Sequence, residues 1–470
     1  MQTRFELWKQ EQECLKGIYE RTPELLTPKQ FVEGPEFLQQ FGIEIPKQET
    51  FPYGYIKLWP QDFVVEEIPE RGAIQTVNTS HHIASTTQQK GSTVYATLVK
   101  CNISTFQAIE ELAQLLKADS SKLTYAGLKD HDAFTSQRIS MCQVSLEAVQ
   151  QIRSDHFFLK DISKGKGYIG IGRLQGNRFT ILVRLLEAID FGNFEKQVKQ
   201  IEQTGFYNYF YLQRFGEPRY INVKLGLDIL KGEYEQAVRD VCTSVSPGQT
   251  EFAFFAHIRK SADESWGDWK TMYDLLSPCP IYFQSELKML DYLIQHPDDF
   301  VGALRLVSEY VMMWINAVSS LLFNKKLSTY LRDKRTPPKE LPLFFSLDPT
   351  DWAYYQTDME ELGILSPKFE NLQPFENLKP KTRFVITKQR VVIHKIKSVE
   401  AGVIIQFSLP KGAYATTFLS HIFQLYYGAP PVGISDTQID IKSVIGDDPM
   451  SGELDYFKSV IRKRQSFDVF

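Results

Sequence analysis

Residues 123–137, LTYAGLKDHDAFTSQ, set four ionisable side chains, Lys129-Asp130-His131-Asp132, directly behind a short apolar run and a glycine. The run Leu123 to Ala126 predicts a strand, Gly127 a turn, and Arg138 to Val144 a second strand leading away. Charges at the end of a buried strand are costly unless they face a solvated cleft. A fold that accommodates this stretch must therefore open beside it, which makes Asp130 the first candidate for a working carboxylate. Taken alone, an aspartate after a strand is more often a turn cap or an ion-pair partner.

The flanking sequence supplies a rigid frame. Ile56-Lys57-Leu58 precedes the turn signal Pro60-Gln61-Asp62, and Phe63 to Ile68 alternates as a strand that Pro69 stops. Residues 71–92 lack periodicity and read as a loop; His81-His82 has no acidic or Cys partner at ligand spacing, so no metal is expected. Thr93 to Lys100 predicts a strand. Ser104 with Gln107 forms a capping box for a helix whose apolar face is Phe106, Ile109, Leu112, Ala113 and Leu116. A further helix is expected over 145–154.

Beyond it the chain turns basic. Lys160, Lys164, Lys166, Arg173, Arg178 and Arg184 are mixed with glycines, and a period-two pattern sets Phe179, Ile181, Val183 and Leu185 against Arg178, Thr180, Leu182 and Arg184. Such a surface suits an RNA backbone with an aromatic stacking platform, or is a solvated sheet face. Phe194 to Thr204 predicts a helix ended by Gly205. Six aromatics then crowd residues 205–216 around Asn208, Gln213 and Arg214, residue types that hold bases and phosphates unless the aromatics are core. Helical patterns dominate 217–395 (Val223–Leu230, Tyr234–Cys242, Ser285–Gln295, Phe300–Leu327), and strands return at 383–387, 391–396 and 403–409.

Composition excludes several classes. With 470 residues, 43% hydrophobic and 23% charged, the chain is globular and long enough for two or three domains. A net charge of -4 means that any nucleic-acid footprint is local. Five dispersed cysteines argue against a disulfide framework or a zinc knuckle. The N-terminus is polar, unlike a signal peptide, and the apolar run 304–323 is broken by Arg305, Ser308, Glu309 and Asn316, unlike a membrane span. A cytoplasmic monomer is expected, with no membrane association.

Six stretches occur in a telling order: Lys57 with Pro60-Gln-Asp-Phe-Val-Val-Glu-Glu67; Tyr125-Ala-Gly-Leu-Lys-Asp130 with Ala133 and Thr135-Ser-Gln137; Gly176-Asn-Arg-Phe179; Asn208-Tyr-Phe210 with Gln213-Arg-Phe-Gly216; Leu322-Phe-Asn324; and Phe407 to Thr416. Together they resemble the TruD family of tRNA pseudouridine synthases. The resemblance implies an α+β pseudouridine-synthase fold with a mixed, largely antiparallel sheet. Helix formers fill Phe5 to Tyr19, and Pro23, Pro28, Pro35 and Pro46 then break the segment, so 1–50 reads as a helical extension. The resemblance divides the rest into a catalytic domain (51–216 and 396–470) and a TRUD-type insertion domain (217–395). It places a nucleophile at Asp130, a basic site residue at Lys57, a base-stacking aromatic at Phe179 and a neighbouring contact at Asn177. Further substrate contacts are expected at Asn208, Gln213, Arg214, Lys129 and Tyr414.

The implied partner is RNA, most readily tRNA at its uridine 13, with no cofactor and no metal. A fold-retaining RNA-binding protein or tRNA chaperone without catalysis is the alternative. The chain departs from the family pattern at Tyr211, Val318-Ser319, Ser420-His421 and His131-Asp132. The implied reaction breaks the uridine N1–C1′ bond and rejoins the base through C5. It needs an ionised carboxylate, which aspartate with its ordinary pKa of about 3.9 supplies at neutral pH. It also needs an extruded base, which aromatic stacking of about 1–3 kcal/mol helps to hold.

Overall fold

The computed structural model describes residues 4–27, 29–45, 51–79, 91–245, 251–344, 350, 353–364, 369–375 and 383–464. His81 and His82 lie outside them. The chain forms two compact units: Lys47–Phe206 with Gln389–Asp468, and Met1–Pro46 with Tyr207–Lys388.

The first unit is built on one mixed sheet. Its strands are β1 (Tyr53–Tyr55), β2 (Phe63–Pro69), β3 (Thr93–Cys101), β4 (Leu123–Tyr125), β5 (Phe134–Cys142), β6 (Phe157–Gly165), β7 (Leu174–Leu185), β8 (Val392–Val399), β9 (Gly402–Pro410) and β10 (Gln424–Tyr427). The order is β10-β1-β7-β2-β5-β3-β6, with β9 also paired to β7, β8 to β9 and β4 to β5. Only β2–β5 and β10–β1 are parallel among these pairs. The sheet is thus mixed and largely antiparallel, as expected.

Register assigns the faces. Val65 lies opposite Phe179 of β7 and Thr135 of β5, and Thr135 lies opposite Lys100 of β3. By the period of two, Phe63, Val65, Glu67, Asn177, Phe179, Lys100, Thr135 and Gln137 share one face. The helix Thr105–Leu116 covers the β3–β5 part of that face. Its Ala108, Ile109, Leu112 and Ala113 bury against Val94, Ala96, Leu98, Ile139 and Met141. Each fully buried Leu or Ile there contributes about 1.5–3 kcal/mol. Ser104 Oγ accepts from Gln107 N–H and Gln107 Oε1 from Ser104 N–H, the expected capping box. The opposite face, Val64, Val99, Cys101, Phe134, Leu182 and Ile404, is sealed by Ile441, Ile445, Met450 and Phe457.

That opposite face also holds charges. Glu66 takes Lys442 Nζ at 2.7 Å on one oxygen and Arg178 Nε at 2.8 Å on the other. At the next turn, Arg184 grips both oxygens of Asp62 at 2.7 and 2.8 Å, with neither side chain exposed. Lys160 is buried too, donating to Asn78 O at 2.6 Å. Arg178, Arg184 and Lys160 are therefore internal ion pairs and bonds, and only Lys164, Lys166 and Arg173 of the basic run are exposed. The helix expected over 145–154 is shorter, Leu146–Gln150, ending where Gln151 and Ile152 N–H turn to the carbonyls of Ala148 and Val149.

The second unit is mainly helical. Asn222–Lys231, Tyr234–Thr243 and Gln284–Gln295 form as the periodicity predicts, and the N-terminal Arg4–Arg21 is a helix as well. The span expected from 300 to 327 divides into Phe300–Arg305 and Ser308–Arg332, where Leu306 and Val307 N–H turn to the carbonyls three residues back. Asn324 is the unit's internal clasp. Its Oδ1 accepts from Phe210 N–H at 3.0 Å, and its Nδ2 donates to Phe210 O at 2.8 Å and Phe41 O at 2.9 Å. Two of the six sequence stretches, around Phe210 and Asn324, are thereby partners. Most aromatics of 206–215 are core: Phe206, Tyr209, Phe210, Tyr211 and Phe215 are buried.

Candidate active site

Lys57 and Asp130 come from two connections at the same end of the sheet, one leading to β2 and one leading to β5. Lys57 Nζ donates to Asp130 Oδ1 at 2.7 Å, and the side chains are 11% and 26% exposed. Lys57 adopts φ 60°, a left-handed conformation that costs a β-carbon-bearing residue about 1–2 kcal/mol. Its ammonium also lies 4.3 Å from the centre of the Phe63 ring. Burial pushes the Asp130 carboxyl upward, but the adjoining Lys57 ammonium and then Lys100 outweigh it, so its pKa sits below the ordinary aspartate value. Asp132 opposes them weakly. Asp132 is itself paired with His131 Nδ1; burial raises it, and His131, Arg464 and Lys57 bring it down on balance.

The loop carrying Asp130 is tied at each step. Gln137 Nε2 donates to Gly127 O at 3.1 Å, Thr105 Oγ1 accepts from Lys129 N–H at 3.0 Å, and Thr105 also donates to Gln137 Oε1 at 3.2 Å. Lys129 points inward, its Nζ 2.9 Å from Glu67 Oε2, both side chains almost wholly buried. It is a structural anchor of the loop in this arrangement. Lys100 is the residue that sequence reasoning missed. Its Nζ, fully buried, donates to Asp130 O at 2.6 Å and Ile103 O at 2.7 Å. Burial lowers its pKa to about 7, against the pull of Asp130. The strand pattern of Thr93–Lys100 held the signal: Lys100 falls on the same alternation as Leu98 and Ala96.

Phe179 lies on the same face, 5% exposed, stacked on Phe407 at 5.2 Å and edge-on to Phe63 at 6.2 Å. Two residues along, Asn177 Oδ1 is buried and takes no hydrogen bond among the described residues. An unpaired buried acceptor costs about 1–3 kcal/mol, so it marks a place for a donor to arrive. Tyr414 is half-buried in the connection from β9 to the short helix Ala415–Leu419.

Asn208, Gln213 and Arg214 belong to the helical unit. Asn208 is buried, its Nδ2 donating to Ile386 O at 2.9 Å; Gln213 is exposed; Arg214 lies over the Phe210 ring at 5.4 Å. The departures at Tyr211, Ser319, Ser420 and His421 are all buried, and Tyr211 hydroxyl donates to Glu33. Among the described residues no group of three His, Cys, Asp or Glu side chains could hold a metal ion, and no helix is long and apolar enough to cross a membrane.

The model of tRNA pseudouridine synthase D matches residues 48–340. The chain belongs to the TruD family. It is an isomerase of the pseudouridine-synthase class. It is 29% identical over 388 residues to a "Probable tRNA pseudouridine synthase D 1" of Methanocaldococcus jannaschii, covering 80% of this chain and 97% of that one. Against the tRNA pseudouridine synthase D of Geobacter sp. strain M21 the identity is 28% over 412 residues, covering 79% and 96%. A solved TruD structure from Methanosarcina mazei superposes with a TM-score of 0.59 over 83% of this chain and 98% of that one, at 21% identity, a likeness of fold.

Proposed function

We propose that this TruD protein converts a uridine of tRNA to pseudouridine, with uridine 13 as the first target to test and Asp130 as the nucleophile. The observation that carries the reading is the Lys57–Asp130 bond: a carboxylate kept ionised by a cation at 2.7 Å, in a partly open position. In the reaction Asp130 attacks the ribosyl C1′ or the uracil C6. The N1–C1′ bond breaks and C5–C1′ forms. The C5 proton is lost and N1 gains one, so neither an oxidant nor a reductant is consumed. Phe179 provides an apolar wall for the extruded base, and Asn177 Oδ1 an acceptor for the uracil N3–H. Lys164, Lys166 and Arg173 offer solvent-facing charge for phosphates, while Phe106 and Leu128, 56% and 58% exposed, are apolar surfaces flanking the Asp130 loop.

The experiment is pseudouridine mapping on total tRNA incubated with wild type, Asp130→Asn and Asp132→Asn. The expected result is a new pseudouridine with wild type and Asp132→Asn and none with Asp130→Asn, RNA binding being kept by all three. Comparable turnover by Asp130→Asn would remove the nucleophile assignment. Binding with no modification of any tRNA by wild type would leave a non-catalytic RNA-binding protein.

A further inference from the structure

We propose that Lys100 is a positioning residue for this reaction, its amine holding the main chain of Asp130 and so fixing where the carboxylate points. The proposal rests on Asp130 being the nucleophile. Lys100 sits one residue from the end of β3, on the same face as Leu98 and Ala96, and no part of it reaches solvent. Ala96 and Leu98 along the strand and Phe157 across it are apolar, and burying an ammonium beside them costs several kcal/mol unless it is well bonded. Among the described residues no carboxylate lies within ion-pair distance of it. What it has are two carbonyls from two separate segments: Ile103 O, in the connection to the helix Thr105–Leu116, and Asp130 O. One amine thus cross-links the strand, the connection entering the covering helix and the loop that bears the nucleophile. Thr105 Oγ1, two residues past Ile103, takes Lys129 N–H, so the loop is gripped at both Lys129 and Asp130.

The bonds to Ile103 and Asp130 are charge-assisted while the amine is protonated, and roughly twice as strong as neutral ones. The charged groups facing it are Asp130, Lys57 and Lys129, with Lys129 neutralised by Glu67; the neighbouring Cys101 thiol is raised well above its ordinary value by burial. With a pKa near 7, Lys100 changes charge in the working range while Asp130 stays ionised. The neutral amine keeps two donors for its two carbonyls but loses the charge assistance. The grip on Asp130 therefore loosens, and the rate of the chemical step falls, as pH rises through about 7.

The test compares single-turnover rate, RNA affinity and thermal midpoint for Lys100→Met and Lys160→Met. Lys160 is the control: a buried lysine on the adjoining β6 that also bonds a backbone carbonyl, Asn78 O, and is remote from Asp130 in the bonding network. Both variants should lose thermal stability. Lys100→Met should lose about tenfold to a hundredfold in single-turnover rate with its RNA affinity within about twofold of wild type, the scale of a nucleophile displaced by a fraction of an ångström. Lys160→Met should keep its rate. The wild-type profile between about pH 6 and pH 9 should decline with an inflection that Lys100→Met lacks. An unchanged rate in Lys100→Met, or an equal loss in Lys160→Met, overturns the proposal. If Lys100→Met does not fold, a flat wild-type profile over that range overturns it on its own. Turnover by Asp130→Asn would instead dismiss the nucleophile and leave the Lys100 contacts standing.

Discussion

Replacing Asn324 by leucine should cripple the helical unit without opening a cavity, because leucine keeps the same number and branching of side-chain heavy atoms. The carboxamide makes three bonds at 2.8 to 3.0 Å: it accepts from Phe210 N–H and donates to Phe210 O and Phe41 O. Asn324, Phe210 and Phe41 are all buried, so water cannot take over. Three orphaned backbone groups at about 1–3 kcal/mol each, discounted for relaxation, give a loss of about 3–6 kcal/mol. With a urea m-value of about 2–3 kcal/mol/M, the midpoint should fall by about 1–3 M. Intrinsic fluorescence is the natural assay, since Trp8, Trp266, Trp269 and Trp314 belong to this unit and, among the described residues, only Trp59 to the other. A shift below about 0.5 M would mean that the clasp holds nothing, and that the link between the stretches around Phe210 and Asn324 is incidental.

Two further predictions concern the site and its substrate. Lys57→Met removes the largest influence lowering the Asp130 carboxyl and leaves burial, which raises it. The acid limb of the pH–rate profile should therefore move to higher pH, and an unmoved or lowered limb would refute the coupling. The stability sign follows: a depressed carboxylate stabilises the fold above its unfolded pKa and loses that contribution as pH falls through the folded one. The wild-type excess over Lys57→Met should thus fade on acidification in urea titrations. Replacing Lys164, Lys166 and Arg173 together by Gln should lower the slope of log affinity against log salt by about 2–3, with little change in single-turnover rate. An unchanged slope would place the phosphates elsewhere.

What the sequence revealed tracks how local each cause is. The capping box at Ser104 and the helix end at Gly205 are decided within a few residues, and both formed as read. Phe179 and Asn177 were brought to the face of the sheet that carries Lys100 by alternation along a single strand. The basic run misled because a lone arginine on a strand says nothing of the acid opposite. Arg178 meets Glu66, and Arg184 meets Asp62, from more than a hundred positions earlier in the chain. Lys129 read as a substrate contact for the same reason, with its partner Glu67 out of local view. Lys100 stayed hidden because a lysine near a strand end ordinarily reaches water, whereas here its amine is taken up by the carbonyls of Ile103 and Asp130.

The pairing of β7 has a bearing on how the protein comes into being. Residues 174–185 are flanked on one side by 63–69 and on the other by 402–410, and the N–H of Arg464 closes on the carbonyl of Leu58, next to Lys57. The ribosome therefore delivers Lys57 and Asp130 long before it delivers the strand and tail that complete their surroundings. Residues 186–401 must emerge first, and long-range pairings of this kind form last. A growing chain thus carries Lys57 and Asp130 with this side of the sheet unpaired until residues 402–410 and Arg464 have followed.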